Sequence, residues 1–496
     1  MRPSPCRHIF SMTVLGLALL GGPAGCDVKP PGALSTDLGF KAPGGWVAVG
    51  GEGRPILDQW WASFKDKGLN DTIAEALASN HDLKAAAARI ETAAAESRIA
   101  GADFHPQLNG GFGSSRSRSN NAGPGGAVTP LRTSNLGVSL DVSWEMDVWG
   151  RVRSAVRATA ANFQATQADY AAAMLSVAGQ TAKAWVTVVE ARQQIALTER
   201  TVATYRETAR QASDRVKAGI SSRTDKYLAA ANLASAEGLL QQRRETLARA
   251  RRQLEVLLGR YPDGRVDSAA KLPVTPPLPP VGLPADIIRR RPDLVAAERQ
   301  LAASIQRVDA SQKALYPRFS LTASTGTSSD ELRNLLDGDY LIWTIAGNLV
   351  QPLFQGGRLR ARIDAEKGRA EEATARFAQQ AIQAFSEVEI ALATTSLLAD
   401  REQALQKASE EAIEAVKVSH NRYAQGVENF LVVLESQRRA LDAESAVLAV
   451  RRQRLTNRID LHLALGGGFE AFMPSVPAIA DNSELTPRKN RTEDRP

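Results

Sequence analysis

Few side chains in this 496-residue chain have the type and spacing that chemistry requires. Its five histidines, at positions 8, 81, 105, 420 and 462, show no metal-ligand spacing. Two cysteines, Cys6 and Cys26, build neither a disulfide framework nor a multi-cysteine zinc site. His105 and His462 have no acidic or nucleophilic partner at a telling distance along the chain, so surface roles are expected for both. Gly466-Gly467-Gly468 follows a helical stretch and lacks the Lys and Ser or Thr of a phosphate loop, so it reads as a helix stop. These observations imply no catalytic group, no metal and no cofactor; an enzyme is not expected. The reactive group in the most suggestive setting is the Cys26 thiol.

Arg2 and Arg7 precede the apolar stretch Ile9 to Leu20, and small residues from Gly21 to Gly25 lead into Cys26. That order is an export signal, too short to span a bilayer stably. Small residues before a Cys resemble a bacterial lipoprotein signal, in which the Cys becomes the acylated first residue. Pro23 departs from the usual leucine-like residue, and Asp27 follows the Cys, a choice that in some bacteria favours inner-membrane retention. An ordinary secretory signal with an incidental Cys is the alternative.

Composition excludes a bundle of membrane helices: mean hydropathy is −0.24, and no apolar run reaches the necessary length. The net charge of +7 falls to +5 without Arg2 and Arg7. That excess is spread along helices as a solvated surface, so no nucleic-acid partner is expected.

The elements that position anything here come from a duplication. Asn80-His81-Asp82-Leu83 matches Arg291-Pro292-Asp293-Leu294, and His105-Pro106-Gln107-Leu108 matches Tyr316-Pro317-Arg318-Phe319, both at an offset of 211 set by their positions. Trp149-Gly150-Arg151 matches Gly356-Gly357-Arg358, Lys217-Ala218-Gly219-Ile220 matches Ala424-Gln425-Gly426-Val427, Glu237 matches Glu444 and Leu258-Gly259 matches Leu465-Gly466, now at an offset of 207. The second copy has therefore lost four residues in a loop between its Pro and its Gly-Arg.

Each copy reads helix, two strands, helix, turn, helix. A helix is expected from Asn70 to about Gly101, ended by Pro106, and a loop from Ser114 to Thr129. Leu136, Val138, Leu140, Val142, Trp144, Met146 and Val148 alternate with polar or acidic residues, which suits a wall between lipid and water. A half-buried strand of a soluble sandwich is the alternative, favoured only if strands were numerous. Phe319, Leu321 and Ala323 alternate likewise, with Tyr340 to Gln351 as a weaker partner. Proline-free helices run from Arg151 to about Ala218 and from Leu359 to about Ala424. Leu175, Ala178, Ala182, Trp185 and Val189, with Val188, Ile195 and Val202, mark a packing seam. Helices Thr224 to Leu258 and Phe430 to Leu465 return after Gly219 and Gly426. The expected divisions are a signal at 1–25, a lipidated segment at 26–68, repeats at 69–262 and 286–469 around a Pro-rich linker at 263–285, and a disordered tail at 470–496.

Two hairpins cannot close a membrane barrel, because open edges in lipid leave backbone groups unpaired. Four strands per chain require two chains for ~8 strands or three for ~12.

The lipoprotein-like Cys, the Trp60-Trp61 pair before Phe64, the duplicated unit, the Gly-Arg helix starts and the segment Arg422-Tyr423-Ala424-Gln425-Gly426-Val427-Glu428-Asn429-Phe430-Leu431 resemble the TolC-like outer-membrane factors, specifically the NodT-type lipoproteins of RND efflux systems. The resemblance covers roughly residues 55 to 469. It implies a mainly α protein with a small transmembrane β part, built as a duplicated α-β-β-α unit. It implies a homotrimer whose 12-strand barrel continues into a long periplasmic α-helical barrel. Such a duct passively conducts drugs or other small solutes from a periplasmic adaptor and an RND-type inner-membrane pump. Carried over, Gly219, Ile220, Gly426 and Val427 form the adaptor-docking turns, while Leu431 and Glu435 form an apolar constriction and a negative ring. A core leucine and a solvated acid are the plainer alternative for that pair. A periplasmic coiled-coil lipoprotein adaptor or scaffold would explain the helices and the anchor, but not two symmetrically placed hairpins.

Overall fold

The computed structural model describes residues 45–47, 59–122, 125–126, 128–282 and 284–468. Cys26, the signal and the tail at 470–496 lie outside the described residues. Eight α-helices and four strands, besides three short 3-10 turns, occupy them: α1 (Lys67–Ser79), α2 (His81–Ala102), β1 (Gln107–Ala122), β2 (Val128–Met146), α3 (Arg151–Lys217), α4 (Arg223–Leu257), α5 (Pro284–Arg290), α6 (Pro292–Lys313), β3 (Arg318–Ser329), β4 (Leu341–Val350), α7 (Arg358–Ala424) and α8 (Phe430–Ala464). None of these helices is long and apolar enough to cross a membrane.

The duplication shows in the lengths. α3 and α7 each have 67 residues, α4 and α8 have 35, and α2 and α6 have 22. At 1.5 Å per residue the longest helices extend about 100 Å. Their starts are alike: Gly150 (φ 78°) and Gly357 (φ 83°) turn the chain into the helix. In the first copy the Asp147 carboxylate accepts from the amides of Val152 and Arg153, both at 2.9 Å, filling two otherwise orphaned donors.

Two expectations about the elements are corrected. The helix from Asn70 to Gly101 is broken at Asn80, whose side chain accepts from the Asp82 and Leu83 amides and so caps α2. Its amide nitrogen donates to the Leu257 carbonyl, 2.9 Å away. The second copy breaks at the same place for another reason: Pro292 forces Arg291 into an extended conformation. There Arg291 reaches the Ala464 carbonyl, the counterpart of Leu257. The second correction concerns the loop at 114–129. β1 continues through Ala122 and pairs in unbroken register up to Ala122↔Val128. Ser and Asn side chains say little about a backbone whose hydrogen bonds are satisfied by the partner strand.

The strands form one antiparallel sheet in the order β1-β2-β3-β4, with β2 and β3 joining the two copies. Register places Leu108, Gly110 and Phe112 beside Val142, Leu140 and Val138. Beyond β2 follow Phe319, Leu321 and Ala323, and then Leu349 and Ile345. Since side chains alternate between faces, this face is apolar across all four strands. The opposite face carries Asn109, Ser139, Asp141, Glu145, Ser320, Thr322 and Ser324. β1 and β4 remain as unpaired edges among the described strands.

The cores lie partway along the long helices. Trp60, Trp61, Phe64, Leu69, Ile73, Trp185, Leu254 and Ile459 are buried where α1, α3, α4 and α8 meet. Ile287, Leu294, Phe377, Val388 and Leu461 form a second core among α5 to α8. His462 is buried in the first region, stacked 5.3 Å from Trp60, which corrects its expected surface role; His105 is exposed.

Candidate functional site

The two helix turns far from the sheet form the candidate site. α3 ends with Ala218 and Gly219 (φ 75°); the Gly219 amide donates to Val216 O and the Ile220 amide to Arg215 O. α7 ends identically: Gly426 (φ 77°) donates to Tyr423 O and Val427 to Arg422 O. A Cβ at either glycine would meet nothing within 4 Å, so backbone conformation, not space, demands glycine there. Ser222 and Asn429 then cap α4 and α8 by accepting from the Thr224 and Leu431 amides.

The fold brings both turns together. Ala212, Ala229, Tyr423, Phe430, Val433 and Leu434 share one small core. The Arg215 guanidinium lies 4.7 Å over the Tyr423 ring and donates to the Tyr423 and Ala424 carbonyls, completing the end of α7. Sequence reasoning does not single out Arg215; its place one turn before the first glycine is the signal that could have found it. Arg422 pairs with Glu428 across the second turn at 3.0 Å.

With Phe430, Val433 and Leu434 turned inward, Leu431 and Glu435 share the free face of α8, and Leu431 is 55% exposed. Ile220 and Val427 are exposed at the turns. Glu435 is not a bare acid, however. Arg439 holds it at 2.7 Å and Arg438 at 3.0 Å, and their hydrogen bonds keep its carboxyl below the usual carboxylate range. Arg438 also reaches Asp442 at 3.4 Å. Each chain therefore presents a compensated layer where the family resemblance implies a negative one. Arginines three and four residues after Glu435 carry that signal.

The tip thus ends in exposed apolar residues at the far end of a helical shaft, and the other end is a sheet with one apolar and one polar face. Among the described residues no group of three His, Cys, Asp or Glu could hold a metal. The outer membrane efflux protein model matches residues 72–260 and 283–467, both copies of the repeat. The chain belongs to the outer membrane efflux protein family. Outer membrane protein OprJ of Pseudomonas aeruginosa is 32% identical over 484 residues, covering 94% of this chain and 97% of that protein. The pyoverdine export outer membrane protein OpmQ of the same species is 28% identical over 472 residues, covering 93% and 97%. The solved outer-membrane channel OprN superposes with a TM-score of 0.81 at 26% identity, covering 89% of this chain and 99% of that one. This family member is an outer-membrane efflux channel with the TolC-like duplicated fold, its helical part in the periplasm.

Proposed function

We propose that three copies close a 12-strand barrel and a continuous helical duct, the exit path of a tripartite pump. The observation that carries this is the sheet: an apolar face across four strands, with β1 and β4 unpaired, is tenable in lipid only when neighbouring copies pair those edges. Drugs or other small solutes pass without chemistry, handed on by an RND-type inner-membrane pump through a periplasmic adaptor that docks at Gly219, Ile220, Gly426 and Val427. Leu431 narrows the tip as an apolar ring, and the layer of Glu435, Arg438 and Arg439 stands one turn further on. Cys26 carries the acyl anchor.

Unheated gel migration with planar-bilayer recording tests the duct. A heat-modifiable trimer that conducts is expected, with Leu431→Ala raising conductance and Glu435→Ala shifting selectivity toward anions, because two guanidiniums per chain lose their counter-charge. A monomer released by carbonate extraction would sink the proposal. Labelled fatty acid should enter the wild type and not Cys26→Ser; equal labelling would remove the anchor from Cys26.

A further inference from the structure

The first hairpin carries a feature that conduction does not use. From residue 107 to residue 140 the sequence has no Asp or Glu and three arginines, Arg116, Arg118 and Arg132. Register sets Arg118 directly opposite Arg132, and Arg116 opposite Ser134. All three share the face of Leu108, Phe112, Leu136 and Val138; the other face at this height has Ser115, Ser117, Ser119, Thr129, Leu131 and Thr133, with no charge. The three are exposed, and none has an ion pair among the described residues.

Their height matters. The apolar band on β2 runs from Met146 to Leu136, ten steps along the strand, which is about 33 Å and ~25 Å once the strand tilts. Its lower border is aromatic: Trp144 donates to Phe104 O, and Trp149 donates to Pro317 O and lies 5.4 Å from Tyr316. Its upper border is the arginines, Arg132 standing four residues beyond Leu136, about 13 Å along the strand. Like charges facing each other across strands repel. Here two guanidiniums face each other and a third lies diagonally about 8 Å away, a spacing that one or two phosphate groups can bridge.

We propose that Arg116, Arg118 and Arg132 form an outward-facing cradle for the phosphate groups of glycolipid headgroups in the outer leaflet. This rests on the reading that the apolar face meets lipid. Guanidiniums bind phosphate through paired, charge-assisted hydrogen bonds, and continuity with the apolar band lets one lipid place its chains and headgroup together. The second copy differs at this height: its β3–β4 connection holds Asp330, Glu331, Asp337 and Asp339 against Arg333, which is paired with Glu331 at 2.5 Å.

The test measures lipid A retained by the intact trimer in detergent, by native mass spectrometry. Phosphorylated lipid A should be held at least about tenfold more tightly than the same lipid after phosphatase treatment, and Arg116→Gln/Arg118→Gln/Arg132→Gln should erase the difference while conductance persists. Equal retention of both lipids by the wild type, which needs no variant to fold, overturns the proposal. Displacement of lipid A by inorganic phosphate alone assigns a small-anion site and overturns it too. A triple variant that keeps phosphate-dependent retention but loses heat resistance gives the arginines to a neighbouring copy's acidic loop, and that result likewise overturns the proposal. Failure of the wild type to form a heat-modifiable conducting trimer instead strikes the barrel reading itself.

Discussion

α3 and α7 hold the same place in their repeats, yet their surroundings differ. α3 packs against α1, α2, α4, α6 and α8, and buries residues along its whole length from Val152 to Ala212. α7 packs chiefly against α6 and α8, and buries nothing between Leu392 and Ser409. Where α3 has Lys183, paired with Asp460, and Glu190, α7 has Ile390 and Leu397, which are 63% and 67% exposed. One copy is finished within the chain, and the other keeps an exposed apolar face. Duplication supplied two equal shafts, and divergence covered one with neighbouring helices and left an exposed apolar face on the other.

That contrast breaks most visibly if α7 is given the residues of α3. Ile390→Lys with Leu397→Glu should abolish the heat-resistant oligomer on unheated gels while circular dichroism still reports the helices; an intact oligomer would deny α7 its interface.

Matching positions near the ends of α4 and α8 sharpen the contrast. Glu255 and His462 are counterparts, both buried. Glu255 accepts from the amides of Gly264, Arg265 and Val266, at 2.7 to 3.1 Å, and thereby pins the start of the linker. His462 has no hydrogen bond on either ring nitrogen. Burial, and then the positive Arg458, push its pKa down to about 4. Glu255→Leu should cost about 3 kcal/mol, since it strands three amides; His462→Leu should be neutral or stabilising at pH 7. Because the folded value lies below the ordinary 6.5, the unfolded chain binds the proton first. Stability is full above about pH 6.5 and falls by about 3 kcal/mol as pH drops toward 4. Thermal unfolding midpoints at pH 7 and near pH 4 should separate in the wild type and stay closer together in His462→Leu. Equal separation would clear His462 of any part.

The smallest effect belongs to the turns, where the copies agree. Gly219→Ala and Gly426→Ala should each cost about 1 kcal/mol, from backbone conformation alone. Adaptor binding measured by calorimetry should fall for both; a loss confined to Gly426 would show that the two turns have diverged.

Much of this layout is legible without coordinates. Gly-Arg starts, glycine stops and prolines place the ends of α3, α4, α7 and α8 within a residue or two, because they act through local backbone rules. Tertiary context hides the rest. Asn80 breaks a helix whose composition favours continuing. β1 runs on through Ser and Asn because β2 completes its ladder. His462 is buried by Trp60, some 400 residues away in sequence. The pairing of Glu435 with Arg438 and Arg439 follows from their spacing of three and four along one helix.

The equal helix lengths have one more consequence. An extra residue in α3 alone would advance everything beyond it by about 1.5 Å and rotate it by about 100°. It would shift one turn out of level with the other and swing the buried seam toward water. The four-residue difference between the copies falls where it does neither, between Pro and Gly-Arg. The pair of shafts therefore acts as a gauge, in which each half checks the other. A duct of this design can lengthen only by matched insertions in both copies, in steps of about seven residues, or roughly 10 Å, that restore the same face.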